Sequence, residues 1–186
     1  MGSALLELVV LSLPSVIYAR RLERAGISRD RARKMIGLQP GKPQPYLIAL
    51  AMIVPVSAVA VLLLNIVPSS VLHGHTKNIV GAPRTVSDYV AIVLLALAEE
   101  MLFRGLIAGV LFRRFGFRKG NLLQALVFLA PHLLLLLVRV SLWPLLPLQL
   151  IAGLFLGWLR QRSESIGPCW LLHAATNTIP ALLFGL

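Results

Sequence analysis

The sequence predicts an all-α fold, a polytopic transmembrane helix bundle of about six spans, and three observations predict it. Of its 186 residues 58% are hydrophobic and 13% charged, with a mean hydropathy of +0.83, which is far too apolar for an ordinary soluble domain. Apolar stretches of roughly 17 to 25 residues cross the hydrocarbon core as helices, and six can be laid at about 3–19, 46–67, 86–112, 121–138, 143–160 and 167–184. The basic residues fall between these stretches in alternation, as the positive-inside pattern of a multi-span protein requires.

The first stretch is short and carries Glu7 and Pro14. A secretory signal places Lys or Arg ahead of its apolar run, whereas here Arg20, Arg21 and Arg24 follow it, the pattern of an outward-facing N-terminus held by a basic stop. The opening MGSALL also misses the myristoylation pattern, because Leu6 stands where Ser or Thr is required. Residues 20–45 form a basic connector that ends in Pro40, Gly41, Pro43 and Pro45, a cluster that breaks any helix before the second stretch begins. Residues 68–85, with Pro68, Gly74, Gly81 and Pro83, read as an external loop in which His73 and His75 are solvated. No internal repeat is visible. The single Cys169 has no partner for a disulfide or a zinc pair. Two regions result: 1–85, two spans joined by a basic cytoplasmic loop, and 86–186, four spans.

A net charge of +11 raises the question of nucleic acid, and position answers it. Arg20, Arg21, Arg24, Arg29, Arg31, Arg33, Lys34 and Lys42 follow the first span; Arg113, Arg114, Arg118 and Lys119 the third; Arg160 and Arg162 the fifth. Only Lys77, Arg84 and Arg139 fall on the other side. Basic residues collect on the cytoplasmic side, so both termini are expected outside, in an integral protein of the cell membrane. The excess charge then serves topology and attraction to anionic lipid headgroups. Membrane lipid is an expected partner and nucleic acid is not, since no aromatic residues interleave the basic loop.

The stretch "ALAEEMLFRGL", 96–106, sets Glu99, Glu100 and Arg104 near the middle of the third span. A charge at that depth costs roughly 2.5 to 3.5 kcal/mol on insertion scales. Glu100 and Arg104 are four apart and so can pair on one helical face, which leaves Glu99 as the carboxylate available as a general base. The same trio fits a structural salt bridge or an ion path. Two later spans supply histidine, in "FLAPH" with His132 and in "HAATN" with His173 and Asn177. Counted from the cytoplasmic helix ends, Glu99 lies roughly 20 Å deep, Arg104 about 12 Å, His132 about 16 Å, His173 about 9 Å and Asn177 about 15 Å. His173 and Asn177 share a face, and Pro131 loosens the helix ahead of His132.

"EEMLFRG", "FLAPH" and "HAATN" in this order resemble the three motifs of the CAAX protease and bacteriocin-processing family (CPBP, or Abi) of intramembrane endopeptidases: Glu-Glu-x-x-x-Arg, Phe-x-x-x-His and His-x-x-x-Asn. "GLFLGWLRQRSESIGPCWLLHAATN" is also similar to the family's final segment. The resemblance covers about 86–184 and implies a four-helix catalytic core, open toward the cytoplasmic half. It further implies that Glu99 and His132 activate a water and that His173 and Asn177 polarise the scissile carbonyl of a peptide or protein substrate, such as a CAAX-type prenylated tail or a leader peptide. Glu100 and Arg104 support the site. No cofactor is expected. Zinc on Glu99, His132 and His173 is the alternative, disfavoured because His-Glu-x-x-His is absent and no carboxylate is visible as a partner for either histidine. A non-catalytic scaffold or immunity protein of the same fold, or a small transporter, is the other class of function. The chain has fewer spans than the eukaryotic CAAX proteases, and Pro131 directly precedes the motif histidine.

Overall fold

The computed structural model describes residues 2–64, 83, 85–137 and 140–184. Most of the expected external loop, with His73, His75, Lys77 and Arg84, lies outside the described residues, as does Arg139. Among the described residues every regular element is helical. The order is α1 (Gly2–Arg24), α2 (Arg29–Met35), α3 (Gln44–Leu64), α4 (Val86–Glu100), a π-helical turn (Met101–Ile107), α5 (Ala108–Leu135), a 3₁₀ turn (Val140–Leu145), α6 (Leu146–Ser163) and α7 (Gly167–Phe184). Among the described residues all six apolar stretches lie largely on α-helix.

Two helical runs, Gln44–Leu63 and Leu142–Ser163, are long and apolar enough to cross a membrane, and only 11% and 22% of them is buried within the bundle. A core helix of a soluble protein would bury that surface. Here Leu47, Leu50, Val54 and Leu62 of α3 point outward, as they do when the surroundings are hydrocarbon. With 15 residues α4 is too short to cross, but its backbone continues without interruption through the π-turn into the first part of α5. Its start is fixed at Thr85, whose N–H donates to the Asp88 carboxylate at 2.9 Å.

The connector expected around Arg113–Lys119 is shorter than the sequence suggested. Helix runs up to it and resumes at once, and the chain turns back at a single residue, Gly116, with φ +72° and ψ 169°. A residue with a Cβ resists that φ. The reversal brings Gly120 against the Leu111 carbonyl and sets Phe112 edge-on to Phe117 with ring centroids 5.5 Å apart.

Packing follows small residues. Helix α5 lies along α6, where Gly153 and Gly157, four apart, let the backbones approach until Ala125, Asn121 and Gln124 fill the space. Gln124 Nε2 donates to the Gly153 carbonyl at 2.7 Å, and Asn121 Nδ2 to that of Leu154 at 3.0 Å. Helix α3 runs along α7, and Ala49, Leu156, Leu159, Cys169 and Leu172 form the core among α3, α6 and α7. Helix α1 packs on α4 and the π-turn, and α4 packs on α7.

The basic connectors meet at one end of the bundle. Arg113 donates to the Met35 carbonyl at 3.0 Å and to Tyr18 Oη at 3.1 Å. The Lys42 N–H donates to the Ser163 carbonyl and the Ile166 N–H to that of Gly37, both at 3.0 Å. Gly41, at φ +76°, lies so close to Ser163 and Ser165 that no side chain fits between them. Lys34 and Lys42 each bridge Glu164 at 3.1 Å, and this holds the Glu164 carboxyl below the usual carboxylate range, chiefly through the hydrogen bond from Lys34 and then that from Lys42.

Candidate active site

Glu99 and Glu100 end α4, and the π-turn that follows carries Arg104. Such turns recur at functional sites because the widened ring re-aims side chains. Arg104 Nη1 donates to Glu100 Oε1 at 2.9 Å, and both side chains are fully buried, so the pairing read from their spacing is present. The guanidinium carbon of Arg104 lies over the Phe128 ring, 4.0 Å from its centroid, a second compensation for burying the cation.

The same Glu100 Oε1 faces His173 Nδ1 of α7 at 2.8 Å. This corrects the reading that neither histidine has a carboxylate partner. A carboxylate accepts, so Nδ1 carries the proton and Nε2 is turned the other way, toward Glu99 Oε2 at 3.7 Å. That gap is too long for a hydrogen bond. Glu99 is also the more open carboxylate, its side chain 23% exposed against none for Glu100. His173 thus stands between two carboxylates, one that fixes it and one that stays free.

Among the described residues His132 makes no hydrogen bond or ion pair with this cluster. Its Nδ1 donates to the Phe128 carbonyl at 3.0 Å, which leaves Nε2 as the acceptor in a neutral ring. Phe128 stands next to both imidazoles, with centroids 5.1 Å from His132 and 6.1 Å from His173. Asn177 lies one turn beyond His173, exposed, and makes no hydrogen bond among the described residues. Among the described residues no three His, Cys, Asp or Glu side chains come together as a group that could hold a metal ion.

Sequence reasoning missed three contributors. The π-turn has no sequence signature. Arg160, counted only as a topological charge, is 7% exposed and donates to the Arg104 carbonyl at 3.2 Å. Ser15, inside an apolar stretch, donates to the Met101 carbonyl at 2.6 Å. A polar residue at a position facing a helix neighbour was the one available signal for either.

The family described as Type II CAAX prenyl endopeptidase Rce1-like matches residues 84–179, a stretch that includes all three motifs. The chain belongs to the Rce1-like family. That assignment agrees with the CPBP resemblance of the motifs and makes the chain a relative of membrane-embedded proteases, type II CAAX endopeptidases that hydrolyse peptide bonds. Neither curated proteins nor solved structures give a match. The Rce1-like match runs from the start of α4 into α7 and takes in every residue of the Glu99, Glu100, Arg104 and His173 cluster.

Proposed function

We propose that this protein is an intramembrane endopeptidase that cleaves a membrane-associated, prenylated CAAX-type tail, with Glu99 as general base. The carrying observation is the division of labour between adjacent carboxylates: Glu100 Oε1 is committed to Arg104 and His173, while Glu99 is partly exposed and 3.7 Å from His173 Nε2. Glu99 takes a proton from the attacking water, with His132 Nε2 available to hold that water. The hydroxide adds to the scissile carbonyl, and the carbon–nitrogen bond breaks as Glu99 returns its proton to the leaving amine. Between these two events the proton held by Glu99 passes to His173 Nε2, 3.7 Å away, and back; while it is there His173 donates to the oxyanion and Glu100 balances the charge on the ring, as the buried carboxylate does in a catalytic triad. Asn177, exposed and without a hydrogen bond among the described residues, adds a donor that does not titrate, a contribution of about 2.7 to 4 kcal/mol for an oxyanion donor in soluble proteases.

The test is cleavage of a prenylated CAAX-type peptide by the full chain in membranes, parent against Glu99→Gln. The variant should insert and fold as the parent does and lose turnover; cleavage at the parent rate would remove Glu99 from the mechanism. In the same assay activity should survive exhaustive chelation, because the donor geometry supports a metal-independent route. Stoichiometric zinc that leaves together with activity would replace that route and keep the peptidase assignment.

The reading extends to placement: six spans, both termini outside, and a site reached from the cytoplasmic half. It is supported by the convergence of the basic connectors at one end of the bundle, the distribution that the positive-inside pattern assigns to the cytoplasm.

A further inference from the structure

Two donors from other helices reach the π-turn, and neither belongs to the cluster of motif residues. A π-turn replaces i→i+4 bonding with i→i+5 bonding and so disturbs the carbonyl ladder of its helix. The hydroxyl of Ser15, 1% exposed on α1, donates to the Met101 carbonyl at 2.6 Å, where the turn begins. The Arg160 guanidinium of α6 donates through Nε to the Arg104 carbonyl at 3.2 Å, in the middle of the turn. Through Nη2 it reaches the carbonyls of Lys34 and Met35, each at 3.4 Å. Among the described residues Arg160 has no carboxylate partner, so a buried cation is held by backbone oxygens alone. A buried charge is costly to keep unless its donors are used, and the oxygens it serves belong to the turn and to the basic connector.

We infer that Ser15 and Arg160 are positioning residues for the peptidase reaction: by holding the Met101 and Arg104 carbonyls they fix the π-turn, which sets Arg104 on Glu100 and, through Glu100 Oε1, aims His173. These contacts form a continuous path. Arg160 holds the backbone of Arg104, whose side chain is 2.9 Å from Glu100 Oε1, which is 2.8 Å from His173 Nδ1. One side chain thereby links the docking of the connector to the geometry of the site. The inference rests on the peptidase reading, and its test separates the two.

The full chain, purified and reconstituted, would be compared as parent, Ser15→Ala, Ser15→Thr and Arg160→Lys. Two measurements are made: steady-state cleavage of the prenylated CAAX-type peptide, and the ring-nitrogen NMR signals of His173 without substrate. Loss of one hydrogen bond to the turn should lower kcat about tenfold in Ser15→Ala with KM unchanged, and Ser15→Thr should restore it. Arg160→Lys keeps the charge but not the fork of donors, and should lower kcat likewise. In both weakened variants the His173 ring signals should move. Parent-level kcat in Ser15→Ala and Arg160→Lys overturns the inference, and so does a loss of kcat with unmoved ring signals, the mark of a packing defect alone. The serine variants carry the test if Arg160→Lys does not fold. If the parent itself fails to cleave, the peptidase reading falls, and unmoved ring signals in Ser15→Ala overturn the positioning role independently.

Discussion

Glu100 Oε1 accepts from Arg104 on its own helix and from His173 on α7, so one oxygen joins the buried ion pair to the imidazole. Removing either charge of the pair leaves the other buried without its counterpart, a loss on the order of 3 to 5 kcal/mol in soluble cores. Arg104→Gln and Glu100→Gln should therefore each lower the yield and the thermal stability of folded protein. Parent-level melting of both variants in detergent would show that the pair does not support the fold. The Glu100–Arg104 half of this arrangement was legible in the sequence because a spacing of four on one helix fixes the contact. The Glu100–His173 half was not, because 73 residues separate the partners and only the packing of α4 on α7 brings them together. The sequence related His132 to the His173–Asn177 face by depth alone, and depth carries no rotation between helices. Hence Phe128 packs against both imidazoles and Asn177 is exposed, neither of which a count along a helix could reveal.

At the scale of elements the α6–α7 turn shows what the connector's charges do. Glu164 sits in the left-handed region at φ 60°, its carbonyl accepts from Gln39 at 2.9 Å, and its carboxylate bridges Lys34 and Lys42. These bridges are exposed and individually weak, but they all fasten one connector to one turn. Because the folded Glu164 carboxyl lies below its usual 4.5, the contribution is fully present above that value and is lost as pH falls through the lower folded value. Glu164→Gln should melt below the parent at neutral pH and converge with it on acidification below about 4.5, as followed by melting temperature across a pH series. A constant gap at every pH would show that the carboxylate is not what holds the connector. Hydropathy made the helical stretches visible. It could not show the reversal at Gly116, since a run of Arg113, Arg114, Arg118 and Lys119 reads as loop whether or not its backbone is helical.

Over the whole molecule, lipid-facing apolar surface and the basic end together set an orientation that can be tested directly. Helix α1 runs from exposed Leu5 to the basic residues around Arg24, and the connector that follows presents Arg31 to solvent at the end where Arg113, Lys34, Lys42 and Glu164 meet. If the positive-inside pattern governs insertion, Leu5→Cys and Arg31→Cys report opposite faces of the membrane. The native Cys169 does not interfere, because it is fully buried and its thiol donates to the Leu156 carbonyl at 3.2 Å. A membrane-impermeant thiol reagent applied to intact cells should then label the cysteine at position 5 and spare that at position 31, and opening the membrane should expose both. The reverse order would invert the topology and place the entrance to the site outside. Labelling of both positions in intact cells would mean that α1 does not cross. The hydroxyl of Ser15, which braces the π-turn from α1, makes this more than a question of anchoring: a helix that failed to cross could not hold Met101 at its depth in the bundle.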